Sequence, residues 1–255
     1  MKVIITKNYE AMSEVAAKII ADKVNSKPNC VLGLATGSTP VGMYKKLVEY
    51  NKNNEVDFSK VTSFNLDEYK GLRGDHNQSY RYFMDNNLFN HINIDKANTF
   101  IPNGKAEDIE AECRSYDKRL AEYGGIDLQV LGIGNNGHIG FNEPSDTLSV
   151  CTHVTELTKN TIEANSRFFT SIEEVPTEAV TMGLGGIMRA KTILLLASGS
   201  QKAEIISKLV NGKINTKIPA SLLQIHSNVI VVVDEEAGAL IMNNDNKLAV
   251  SISQL

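Results

Sequence analysis

The sequence predicts an α/β fold: a single doubly wound, mostly parallel sheet of about seven strands with helices on both faces, Rossmann-like in plan. Short β-branched runs alternate along the chain with longer segments of helical period. Most of those runs are continuously apolar, as strands covered on both faces must be. The 255 residues are 42% hydrophobic and 22% charged, enough for one sizeable core, and the 6 prolines and 18 glycines are scattered rather than gathered into a linker. One domain spanning 1–255 is therefore expected.

In chain order the expected strands are 3–6, 30–34, 61–66, 99–101, 128–132, 193–197 and 229–233. Tyr9, Met12, Ala16, Ile19 and Lys23 trace one helix face between them, and Ile109, Cys113, Tyr116, Leu120 and Tyr123 trace another, at spacings of three and four. The aromatic residues of the second face read as core. In such folds ligands sit beyond the carboxyl ends of the strands. The loops after Leu34, Leu66, Gly132 and Ala197 are accordingly where chemistry is sought.

Charge and hydropathy narrow the function. A formal net charge of −4 offers no basic face for nucleic acid, yet a local site can still hold a small phosphorylated ligand because distant charges are screened. The longest apolar runs are strand length, too short for a bilayer, and the N-terminus turns polar at once, so a cytoplasmic protein is expected. Cys30, Cys113 and Cys151 are too few and too scattered for a disulfide framework or a metal site.

Ala35-Thr36-Gly37-Ser38-Thr39-Pro40 after the second strand leads into a helical segment, with Thr39 as its cap and Pro40 in its first turn. Backbone N–H groups converging at a glycine-rich helix start suit an anion, although a plain capped turn has the same pattern. The third strand ends in Asp67-Glu68, of which one can face a pocket; a buried carboxylate suits proton transfer at a carbon beside a carbonyl, and a solvated acidic loop is the alternative. The loop 131–144 is richest: glycines surround His138, and Glu143 stands close enough in sequence to orient its imidazole. Arg167 beside Phe168 and Phe169 supplies a cation. Ser198-Gly199-Ser200-Gln201-Lys202 then repeats the small turn before a helix.

These landmarks, together with Phe64-Asn65-Leu66-Asp67-Glu68-Tyr69 and Gly137-His138-Ile139-Gly140-Phe141-Asn142-Glu143-Pro144, resemble the glucosamine-6-phosphate deaminase (isomerase) family nearly end to end. The resemblance implies that His138, assisted by Glu143 and with Asn136 nearby, opens the pyranose ring. Asp67 then carries a proton from C2 to C1, ammonia leaves and fructose 6-phosphate forms. It further implies that Gly37, Ser38, Thr39, Arg167 and Lys202 hold the phosphate, that no cofactor or metal is needed, and that 159–171 forms a mobile lid.

Two departures qualify the resemblance. Asn136 stands where well-known members have Asp, and it cannot accept a proton. Asp146, His153 and Thr155 occupy the positions of a Ser, an Arg and a Lys that bind N-acetylglucosamine 6-phosphate in activated members, so that allosteric site is expected to be absent or weak. A homo-oligomer remains compatible with the family. The competing readings are a 6-phosphogluconolactonase, a galactosamine-6-phosphate deaminase and a non-catalytic sugar-phosphate sensor.

Overall fold

A computed structural model describes residues 1–166, 169–241 and 249–252. The chain opens with β1 (Lys2–Thr6), α1 (Tyr9–Ser26), β2 (Val31–Leu34), α2 (Val41–Lys52), β3 (Thr62–Asn65) and β4 (Asp67–Tyr69). It continues through α3 (Tyr80–Met84), β5 (Thr99–Phe100), α4 (Ile109–Glu122), β6 (Leu128–Leu131), β7 (His153–Glu156) and α5 (Lys159–Ser166). Then follow β8 (Glu178–Thr181), α6 (Leu184–Met188), β9 (Ile193–Ala197), α7 (Ala203–Asn211), β10 (Val229–Asp234), α8 (Glu235–Gly238) and β11 (Ala249–Ile252).

All seven expected strands form and pair in parallel, in the order β11-β1-β10-β9-β6-β2-β3-β5, with β11 added as an eighth strand at the edge. The interior strands β9 and β10 are apolar throughout their overlap, Leu194 lying opposite Ile230 and Leu196 opposite Val232. Helices pack on both faces. Tyr116 of α4 is fully buried with its ring edge against Phe64 of β3, and its hydroxyl donates to the carbonyl of Asn65 (2.6 Å), which pins the end of that strand. Tyr123, expected in the same core, is 41% exposed and covers Phe64 and Phe100 from outside.

The single sheet expected from sequence is joined by a second. Strands β4, β8 and β7 form a small antiparallel sheet in the order β4-β8-β7, with Asp67 opposite Thr181 and His153 on the far side of that same threonine. These strands read Asp-Glu-Tyr, Glu-Ala-Val-Thr and His-Val-Thr-Glu. None has the continuous apolar run that marks a parallel strand, so the pattern that finds the large sheet passes over them. The small sheet bridges the loops after β3 and β6, and a minor core of Tyr69, Phe141, Leu157 and Ala179 holds it there.

The start of α2 also differs from expectation. The helix begins at Val41 with Pro40 as its cap residue, and Thr39 makes no capping bond. The Tyr9 hydroxyl of α1 does that work instead, accepting from the Gly42 amide at 2.8 Å and lying 3.1 Å from the carbonyls of Ser38 and Thr39. A cap borrowed from a neighbouring helix leaves the side chains of Ser38 and Thr39 available on the pocket side.

Candidate active site

The carboxyl ends of β2, β3, β6 and β9 open onto one cavity of about 660 Å³, lined by Thr36, Gly37, Ser38, Thr39, Asp67, Asn136, His138 and Lys202 among others. Four loops distant in sequence therefore meet where the sheet topology places a ligand.

Gly37 has φ 97°, a left-handed conformation that other residues resist, and so turns the chain beneath the helix start. No described residue accepts a hydrogen bond from the amides of Gly37, Ser38 or Thr39, which leaves them for an anion. The second turn, at Gly199, behaves differently. Its amide donates to both carboxylate oxygens of Asp234 (3.1 and 3.0 Å), Ser198 Oγ bonds the same carboxylate, and the Ser200 amide donates to Glu236 (3.1 Å). Two carboxylates thus occupy the N–H groups of this turn, and its offering to the cavity is Lys202. That ammonium is held at the rim by the carbonyl of Ile133 at 2.7 Å. Arg167 lies outside the described residues.

Asp67 and Glu68 separate as the alternation of a strand demands. Asp67 faces the cavity, and among the described residues its carboxyl accepts no hydrogen bond. Burial, and next the charge of Glu68, push it from 3.8 up to about 8. Tyr80, half-buried and stacked 6.2 Å from Phe141, forms the wall beside it. Burial holds the Tyr80 phenol well above its ordinary value, which excludes it as a base near neutrality.

Opposite stands His138. Its Nδ1 is 3.3 Å from Glu143 Oε1, an ion-pair contact without hydrogen-bond alignment. The same Oε1 accepts from Thr161 Oγ1 (2.6 Å), and Oε2 accepts from Asn136 Nδ2 (2.7 Å). Burial opposes ionisation of Glu143, but the contacts from His138, Thr161 and Asn136 together hold it below the ordinary carboxylate value. Asn136 also accepts from the His138 amide at 3.2 Å. A Cβ on Gly134 would overlap the imidazole, so the glycine leaves room for the ring. The Asp67 carboxyl and the His138 imidazole thus face one cavity, an arrangement suited to acid-base chemistry on a bound anion.

The chain matches the family described as glucosamine-6-phosphate isomerases/6-phosphogluconolactonase over residues 6–232. It belongs to that family. A glucosamine-6-phosphate deaminase of Clostridium perfringens (strain 13) is 63% identical over 241 residues, 94% of this chain and 100% of that protein. One from Thermoanaerobacter sp. (strain X514) is 60% identical over 247 residues, 97% and 98% of the two chains. A solved structure of a monomeric glucosamine-6-phosphate deaminase superposes with a TM-score of 0.92 at 48% identity, covering 94% of this chain and all of that one. A 6-phosphogluconolactonase from Trypanosoma brucei shares the fold, with a TM-score of 0.75 at 18% identity over 93% and 97% of the chains.

Within this family member, reading the sequence alone misses Tyr80, Thr161 and Glu163 as cavity residues. The only trace of Tyr80 is its place after Ser79, which caps α3. Thr161 and Glu163 lie on α5 within the expected lid, at a two-residue spacing that is not the repeat of a helix face and carries no motif. No helix of the described residues is long and apolar enough to cross a membrane.

Proposed function

We propose that this chain converts glucosamine 6-phosphate and water to fructose 6-phosphate and ammonia, with Asp67 as the proton shuttle. The observation that carries the reading is the pairing, across one cavity, of an uncoordinated buried carboxyl with an imidazole backed by Glu143. Relatives named for this deaminase activity at 60% identity and above, over nearly the whole chain, supply the substrate.

The sugar phosphate docks on the amides of Gly37, Ser38 and Thr39, with Lys202 and Arg167 as its cations. His138 takes the proton from O1 and returns it to the ring oxygen, opening the pyranose to the aldehyde. Asp67, as carboxylate, removes the C2 proton while the substrate's own ammonium group at C2 gives a proton to O1, leaving a neutral enolamine. The same carboxyl delivers its proton to C1, which leaves a ketimine at C2; water adds there and ammonia departs. Atoms and charge balance with no external acceptor.

The segment 159–171 acts as a lid, and the Thr161 to Glu143 hydrogen bond ties its helix to the His138 pair. Asn136 orients Glu143 without titrating. An Asn136→Asp variant accordingly alters the pH profile more than the maximal rate, because a second carboxylate against Glu143 raises the affinity of the pair for a proton; profiles of kcat/KM and kcat against pH check this.

Regulation by N-acetylglucosamine 6-phosphate is absent or weak in this reading. Asp146 is exposed and paired with Lys217 (2.7 Å), and His153 directs Nδ1 at the Cys151 carbonyl (2.9 Å). Rate curves should have the same shape with and without that compound; a sigmoidal curve turned hyperbolic by it would contradict the reading.

The activity itself is tested by following ammonia and fructose 6-phosphate together, with galactosamine 6-phosphate and 6-phosphogluconolactone in parallel. Equal yields of both products from the glucosamine compound are expected. Preference for the epimer or the lactone would overturn the assignment.

A further inference from the structure

Strand β4 divides two cavities. Asp67 lines the large one, whereas Glu68, on the opposite face, lines a smaller cavity of about 160 Å³ with Arg81, Asn103 and Gly104. The Glu68 carboxylate is buried and accepts three backbone N–H groups: Tyr69 and Tyr80 donate to Oε1 (both 2.9 Å) and Arg81 donates to Oε2 (3.0 Å). Two of these amides open α3, the element that sets Tyr80 in the wall beside Asp67.

We propose that Glu68 is a positioning residue for the proton shuttle, fixing Tyr80 through the start of α3 and holding a second negative charge behind Asp67. The proposal rests on the reading of Asp67 as the shuttle.

Charge on Glu68 is not cancelled locally. Arg81 is the nearest cation, but its guanidinium is committed to Thr99, donating to Oγ1 (2.8 Å) and to the carbonyl (2.6 Å), and lies 4.0 Å from Asp85. From β8 the residue opposite Glu68 is Val180, and from the loop after β5 the neighbours are the uncharged Asn103 and Gly104. Asp67, Tyr69 and Tyr80 are the remaining titratable groups around it. Burial pushes Glu68 up to about 7 against the downward pull of its three N–H donors and Arg81. Its three N–H donors favour the carboxylate form while Asp67 accepts none from the described residues, so charge settles on Glu68 and opposes ionisation of Asp67.

Two substitutions separate charge from reach. Glu68→Gln keeps the volume and removes the charge. Glu68→Asp keeps the charge but withdraws it by one methylene from the N–H donors. The acid limb of kcat/KM should move to lower pH by about one unit in Glu68→Gln. In Glu68→Asp the limb should stay in place while kcat falls about tenfold as Tyr80 loosens. An unmoved limb in a folded Glu68→Gln, or wild-type kcat in Glu68→Asp, would overturn the proposal; if the first variant does not fold, the second still decides. Turnover retained by Asp67→Asn would instead refute the shuttle on which the inference stands.

Discussion

Replacing Asp67 by Asn should lower turnover of glucosamine 6-phosphate by about a hundredfold to ten-thousandfold, the range of a lost general acid-base step. The amide fills the same space in the cavity wall, so KM and inhibition by inorganic phosphate should change far less. In the wild type the carboxylate is the working form, and burial and Glu68 set it at about 8. Activity should therefore fall as pH drops through that value. The same substitution should stabilise the fold. A carboxyl raised from 3.8 to about 8 binds its proton more tightly folded than unfolded. The folded protein is favoured by that group below the unfolded value, and the advantage is lost as pH rises through the folded one. The melting temperature of Asp67→Asn should exceed that of the wild type by a margin that widens from about pH 4 to pH 8.

His138→Gln is the second large effect. Removing the imidazole takes away the group that moves a proton between O1 and the ring oxygen and leaves Glu143 with Thr161 and Asn136 as its remaining partners. A loss of about a hundredfold to ten-thousandfold in kcat is expected, with little change in KM because the phosphate anchor is elsewhere. Steady-state kinetics at several pH values read both quantities. A large rise in KM at unchanged kcat would make His138 a binding group and remove it from the chemistry.

The large sheet was legible because most of its strands, β1, β2, β9 and β10 above all, are runs of apolar residues, the pattern that burial on both faces favours. The small sheet was not: Asp-Glu-Tyr of β4 satisfies its backbone bonds on an antiparallel neighbour while its two carboxylates look into different cavities. Sequence reasoning found that only one of the acidic pair could face the pocket, and Asp67 does. It did not find what the other does, since a carboxylate capping a helix twelve residues away has no local signature.

The two glycine turns show the same limit. Gly37 and Gly199 both have positive φ, and both precede helical turns, so they look alike in sequence. They differ because Asp234 and Glu236, more than thirty residues downstream, bond the amides of one and nothing described bonds those of the other. Likewise the cap expected from Thr39 is displaced by Tyr9, which the packing of α1 on α2 brings within reach. Where a group's partner is set by tertiary contact, local pattern names the residue and leaves its role open.

The most direct test of the proton shuttle uses glucosamine 6-phosphate deuterated at C2. Release of ammonia should be slowed by the heavier isotope, and the label should leave C2 and appear at C1 of fructose 6-phosphate and in water. Ammonia released with the label still on C2, as in a direct displacement giving an aldose phosphate, would contradict the account.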